Sequence, residues 1–168
     1  MSVWIRALCT RTVADVSPAD LVGGICERLP TLGPLYGEDD VEETARLLRV
    51  DGDAPMGAWG LFYRGNGHTI NIERWSDPEQ VKEEVGELLE TLEDSDEDGV
   101  EDVREVLGRV VETVAFELKT SDCEGIGWPV AIAAAACIAA AGEGIIQADG
   151  EGWMAPEGRG VEHVLDGD

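Results

Sequence analysis

From Gly125 to Gly142 the chain carries no charged residue, although it holds 36 Asp and Glu in 168 positions and Glu124 and Glu143 flank the run. Eight Ala between positions 131 and 141, with Pro129 near the start, make the run too short and too Ala-rich for a membrane span. A spanning helix needs about 20 predominantly apolar residues. The run reads instead as a buried core helix. Pro129 suits the first turn, where its missing N–H costs nothing, and small Ala faces let other elements approach closely.

The rest of the chain has to build a core around that helix. Ser2 to Thr10 alternates Val3, Ile5, Ala7 and Cys9 with Trp4, Arg6, Leu8 and Thr10, the two-residue period of a strand. Ser17 offers an N-cap with Pro18 at the first helical position, and Leu21, Val22, Ile25, Cys26 and Leu29 form one stripe expected to end before Pro30. A shorter helix is predicted from Asp39 or Asp40 to about Leu48, with an acidic start that complements the helix dipole. Trp59, Leu61 and Tyr63 then alternate up to Asn66-Gly67, a two-residue hairpin signal that would set Gly65 opposite His68, Tyr63 opposite Ile70 and Leu61 opposite Ile72. Asp149-Gly150 suggests a second hairpin, with Ala148 opposite Glu151 and Ile146 opposite Trp153.

Between the hairpins, Ser76 and Pro78 open a helix whose stripe is Val81, Val85, Leu88, Leu89 and Leu92. Another helix is predicted through Val103, Val106, Leu107, Val110, Val111 and Val114, interrupted by Gly108. The sum is an α+β domain spanning 1–168: an antiparallel sheet of about five strands, formed by the N-terminal strand and two hairpins, packed by about five helices. The Gly-rich tail from about residue 156 is expected to be flexible.

Charge narrows the functional classes. With 12 Lys and Arg the formal charge is −24, which repels nucleic-acid phosphates and anionic membrane surfaces and attracts basic proteins or cations. Cys9, Cys26, Cys123 and Cys137 include no C-x-x-C pair and no His at metal-ligand spacing, so they read as reduced thiols of a cytoplasmic protein. The stretch from Met1 to Arg11 lacks the pattern of a signal peptide, in keeping with that compartment.

The most specific short motif runs from Asp94 to Glu105 and satisfies D-x-D-x-D-G-x5-E. Asp94, Asp96, Asp98 and Asp102 with the carbonyl of Val100 and the carboxylate of Glu105 would supply hard oxygens to Ca2+, and Gly99 would make the sharp turn. Over these twelve residues the chain resembles an EF-hand loop between two helices. It departs from that pattern at Glu101, where an aliphatic residue is usual, at Glu93 on the incoming helix, and in having no second loop. The alternative is an acidic helix connection in which Asp96 or Asp98 caps the second helix and Glu101 or Asp102 complements its dipole. Residues 79–105 carry 13 acids against Lys82 and Arg104, a concentration beyond what capping requires.

Catalytic patterns are sparse. His68 and His163 stand far from any nucleophile in sequence, and the G-x-G pairs lack the third Gly or the Lys that cradle phosphates. No catalytic residue and no cofactor-binding residue is assigned, and the chain is read as a non-enzyme. Five Trp (4, 59, 75, 128 and 153) are unusual beside two Phe and two Tyr. Trp59 and Trp153 are expected in the core, whereas Trp75, on the same side of its strand as Glu73 and Asn71, is the better interface candidate.

In size, acidity and Trp content the chain resembles small bacterial immunity proteins. The segment from Gly127-Trp-Pro to Gly144-Ile-Ile-x-x-Asp-Gly-x-Gly-Trp153 is similar to that of uncharacterised members of such systems. The resemblance implies a non-catalytic cytoplasmic protein of immunity or antitoxin type that binds and blocks a basic protein partner, such as a cognate toxin; it assigns no functional residue. A calcium-binding module using residues 94–105 is the alternative. Acidity could also be an adaptation to a salty interior: even acidity all round would favour habitat, and one-sided acidity around exposed aromatics would favour a partner.

Overall fold

The computed structural model describes residues 1–53, 55–65 and 69–167. The uncharged run forms α5 (Gly127–Ala141), a helix in which Pro129, every residue from Val130 to Ala136, Ile138 and Ala139 are buried. Before it come β1 (Ser2–Cys9), α1 (Pro18–Leu35), α2 (Glu42–Leu47), β2 (Arg49–Asp51), β3 (Ala58–Phe62), β4 (Thr69–Trp75), α3 (Pro78–Thr91), α4 (Val100–Leu107) and β5 (Glu112–Lys119). After it come β6 (Ile145–Ala148), β7 (Gly152–Glu157) and β8 (Gly160–Asp166). No helix among the described residues is long and apolar enough to cross a membrane.

The fold is α+β with five α-helices, and its antiparallel sheet has eight strands in the order β2-β3-β4-β5-β1-β6-β7-β8 rather than about five. Three strands escaped the sequence reading. Short β2 pairs with β3, Val50 opposite Leu61. Central β5 takes Val114 out of the predicted helix, which stops at Leu107 with Gly108 as its C-cap. Beyond Gly108 the apolar period changes from about 3.6 to 2, so Val114, Phe116 and Leu118 face one core while Thr113, Ala115 and Glu117 turn the other way. The tail expected to be flexible is paired: β7 runs through Pro156, which lies opposite Val161 of β8.

Helix α1 begins as predicted, with Ser17 and Asp20 forming a reciprocal capping box and Pro18 in the first turn. It does not end before Pro30. Leu32 is fully buried and extends the stripe of Leu21, Ile25 and Leu29, while Pro30 and Pro34 lie on the exposed side. Burial of one Leu is worth roughly 1.5–3 kcal/mol, comparable with the cost of about 3 kcal/mol for an interior Pro. At α3 the cap is Asp77 rather than Ser76, its carboxylate accepting from Glu79 N and Gln80 N.

Both hairpin registers differ from expectation. In β3–β4, Leu61 pairs with Ile70 and Trp59 with Ile72, a shift of two that keeps the apolar side chains on one face. The Asn66-Gly67 turn and His68 lie outside the described residues. In β6–β7, Ile146 pairs with Met154 and Gln147 with Trp153. A shift of one reverses the face, so Met154 joins the main core and Trp153, still buried, joins a second one.

The two cores lie on opposite faces of the sheet. On the first, α1 and α5 cover Ile5, Ala7, Phe116, Ile72, Leu61 and Ile146 among others. On the second, Leu88 and Leu92 with Val100, Val103 and Leu107 of α4 meet Leu8, Ile145, Trp153 and Leu165. This second cover reaches β1 and β6 to β8, and Thr113 and Ala115 of β5 are buried on the same face, whereas Ala58 of β3 and Asn71 and Glu73 of β4 stay exposed.

Close approach sets where glycine is required. A Cβ on Gly144 would stand 1.9 Å from the Leu8 carbonyl oxygen, whereas one on Gly86 of α3 would meet nothing within 4 Å. Gly144→Ala is expected to cost about 1–3 kcal/mol, several degrees of melting temperature in a chain of this size. Gly86→Ala should stabilise by roughly 0.5–1 kcal/mol. Calorimetric melting of the two variants checks both signs.

Cys9 lies beneath the end of α5, and burial, with the Glu112 charge as a lesser cause, pushes its thiol up to about 12. The unfolded thiol ionises near 9.0, so the stability gained by keeping it neutral is complete below that pH and is lost as pH rises through about 12. Denaturant melts at about pH 8 and about pH 10.5 should therefore show a smaller alkaline loss in Cys9→Ala than in the parent chain.

Candidate protein-binding surface

The acidic layer is built by two amphipathic helices. Val81, Leu88 and Leu92 turn α3 and its last turn inward, and Val100, Val103 and Leu107 do the same for α4. Their outer sides carry exposed Glu83, Glu87, Glu90, Glu101, Asp102 and Glu105. With the connection between them, these helices hold the 13 acids of residues 79–105. Nearly half of the net charge thus occupies one layer on one face of the sheet.

The twelve residues of the calcium-loop motif are divided between that connection and α4. Helix α4 begins at Val100, the seventh of the twelve positions, so Val100, Asp102 and Glu105 are helical while Asp94, Asp96 and Asp98 belong to the link. Among the described residues no three His, Cys, Asp or Glu side chains group in a way that could hold a metal ion. Neither Asp96 nor Asp98 caps α4. The N-cap is Gly99 at φ +94°, and no side chain caps the helix there. A side chain at Gly99 would also be strained, since its Cβ would approach the Val164 carbonyl oxygen to 2.5 Å.

Arg104 organises the link from within. Its Nη2 donates to the carbonyls of Leu92 at 2.5 Å, Ser95 at 3.3 Å and Glu93 at 3.4 Å, and Nη1 donates to Glu101. These carbonyls end α3, where a cation also complements the helix dipole.

The second guanidinium of this layer is that of Arg6, carried on β1 to the same sheet face. Its Nε donates to Glu84 Oε1 at 2.5 Å, and Nη1 donates to Gln147 Oε1 at 2.8 Å and Asp149 Oδ1 at 3.4 Å. The Arg6 and Glu84 side chains are 20% and 15% exposed, shielded enough for the pair to tie α3 to β1. Asp149 also accepts from the backbone N–H of Trp4. Beside Arg6 a cleft of about 420 Å3 opens between α3 and the β6–β7 turn.

Away from α3, toward β3 and β4, the second face of the sheet opens to solvent at Ala58, Asn71 and Glu73, while Ala115 of β5 is buried. The strand registers place Trp4, Glu117, Asn71 and Gly60 in one row across it, and Arg6, Ala115, Glu73 and Ala58 in the next. Trp4, Phe62 and Trp75 are half-buried there. The Arg49 guanidinium lies 4.3 Å from the Phe62 ring centroid, and the Trp75 indole N–H donates to Glu73. Trp75 thus stands where the alternation predicted, on the side of Glu73 and Asn71.

Other polar networks join distant segments. Buried Glu112 accepts from Thr12 Oγ1, Val13 N and Arg74 Nη1, binding the β1–α1 loop to β4 and β5. Glu151 accepts from the Tyr36 hydroxyl and the Trp128 indole, and burial leads the causes that raise the Tyr36 hydroxyl above its ordinary pKa. Tyr63 donates to buried Asp122. His163 contacts exposed Asp166 three residues on. All four Cys are free, Cys9 buried and the other three half-buried.

No family model, curated protein or solved structure matches this chain.

The sequence did reveal the acid cluster and the position of Trp75. It did not reveal Arg6 and Arg104 as organising cations, because the first depends on Glu84, 78 residues away, and the second on backbone carbonyls. Arg104→Ala is expected to cost about 1.5–3 kcal/mol, the range for hydrogen bonds to charged groups. The check is a lower melting temperature with faster amide exchange confined to the α3–α4 link, and only partial recovery in Arg104→Lys.

Proposed function

We propose that the protein is a non-catalytic binding protein of immunity or antitoxin type, whose acidic layer docks a basic protein and blocks that partner's working surface. One observation carries the reading: the acids of α3, α4 and their link lie to one side of the sheet, beside an uncovered sheet face bearing Trp4, Phe62 and Trp75. Charge of this sign steers a basic partner and speeds encounter, while half-buried aromatics supply contact area at low entropic cost. The repulsion that favours a basic protein disfavours nucleic acid and anionic membranes as partners. An acidity serving only solvation has no reason to concentrate on this layer.

The test compares two charge-neutralised forms of the full chain. The first carries Glu83→Gln, Glu90→Gln, Asp102→Asn and Glu105→Gln on α3 and α4; the second carries Asp39→Asn, Asp40→Asn, Glu42→Gln and Glu43→Gln around α2. A basic protein retained from lysate of the native cells is purified and its association measured by stopped flow at low and high salt. The α3–α4 variant should associate roughly tenfold more slowly at low salt, with the gap closing at high salt. The α2 variant should match the parent, and co-expression of the parent chain should relieve growth inhibition by the retained protein. Equal slowing by both variants, or no relief of growth, overturns the reading.

A further inference from the structure

The cleft beside Arg6 has a chemistry that neither the calcium motif nor the charge count revealed. Its walls are α3 and the β6–β7 turn, and its apolar lining comes from Leu88, Leu92, Trp153 and Leu165. Five carboxylates line it, those of Glu84, Glu87, Glu97, Asp149 and Asp166, against the single guanidinium of Arg6. Arg6 engages Glu84 and Asp149. Glu87 and Glu97 have no side-chain hydrogen bond or ion pair among the described residues, and they face the same space.

Extending the proposed function, on which this step rests, we infer that the cleft is the anchor point for the basic partner and takes an arginine side chain. The charge is complementary, with four carboxylates in excess over guanidinium in a cleft of about 420 Å3. An arginine joins a charged planar fork to an apolar stem, and the cleft joins an acidic rim to an aliphatic and indole lining. Arg6 sets the geometry: it holds Glu84 and Gln147 against the sheet, so the open acceptors are those toward solvent, on Glu87 and Glu97. Lysine fits less well, because one compact ammonium cannot address acceptors spread along two segments while its stem lies on the lining.

The probe is the blocked tripeptide acetyl-Leu-Arg-Leu-amide, with its Lys counterpart, titrated into the 15N-labelled full chain. Saturable shifts are expected at the Trp153 indole and the backbone amides of 147–152, tighter for Arg than for Lys. Glu87→Gln with Glu97→Gln should weaken the Arg tripeptide roughly fivefold, the effect of removing two partly screened charge contacts. Both positions are exposed and the change removes like charge from an acidic layer, so the variant should melt no lower than the parent. Shifts spread evenly over the acidic surface, or unchanged affinity in the double variant, overturn the anchor. So does sedimentation of the free chain as a dimer that the double variant dissociates, since a second copy then fills the cleft. If the double variant binds the tripeptide as before while neutralising the outer face of α3 and α4 still slows the partner, the anchor falls and the proposed function stands. If the tripeptide responds as expected but no basic partner is retained, the proposed function falls and only the cleft's preference for guanidinium survives.

Discussion

Everything in the molecule is arranged around the burial of α5 between α1 and the sheet. A helix made mostly of Ala has little side-chain area to contribute, so it stabilises chiefly by allowing backbones to approach closely. The approach is tight toward the C-terminal end of α5. A Cβ on Gly24 of α1 would lie 2.3 Å from the Cys137 sulfur, and one on Gly142 would lie 2.6 Å from Cys9. Small residues on α5 therefore demand small residues opposite, and close approach rather than side-chain bulk sets the β1–α5 seam. The large apolar groups, Phe116, Trp59, Tyr63, Leu29 and Leu32, fill the space around this seam.

That arrangement determines what remains for function. With α1 and α5 occupying one face of the sheet, α3 and α4 must cover the other, and two short amphipathic helices cover only about half of eight strands. The exposed remainder is a consequence of topology: β2 to β4 lie beyond the reach of a helix pair anchored on Leu8, Ile145, Trp153 and Leu165. It carries residues that a sheet face can leave half-solvated, among them Trp4, Asn71, Glu73 and Glu117. The charged layer and the open face are thus neighbours because both belong to the less completely covered side.

Local patterns revealed most of the helices and the first strand, since each rests on contacts close in sequence: the Ser17 cap, the Val81–Leu92 stripe and the alternation of Ser2 to Cys9. They failed where distant pairing overrides them. Val110, Val111 and Val114 continue the helical stripe in sequence, yet the Val111 N–H already bonds to the Cys9 carbonyl and Val114 lies in β5, which fills the place between β4 and β1. At Asp149-Gly150 the dipeptide suggested a two-residue turn, but the register follows the need of Met154 for the first core and Trp153 for the second. Of the candidate site, acidity was visible because it is compositional. The cleft was not, because it needs α3, β1 and the β6–β7 turn together.

The acidic layer also has to hold itself against its own charge. Thirteen carboxylates with Lys82 and Arg104 within one helix pair repel one another, and self-repulsion of this kind weakens a compact state. Two buried stripes and two guanidiniums oppose it: Arg6 fastens α3 to the sheet, and Arg104 fastens α4 to the end of α3. Both guanidiniums are spent within the layer, each bound to carboxylate or carbonyl oxygens of the chain itself. The remaining carboxylates therefore face solvent largely uncompensated, and a basic ligand that met them would relieve repulsion as well as form contacts. Binding to the folded form alone would then stabilise this layer by mass action. Covering such a surface would couple the integrity of α3 and α4 to occupancy.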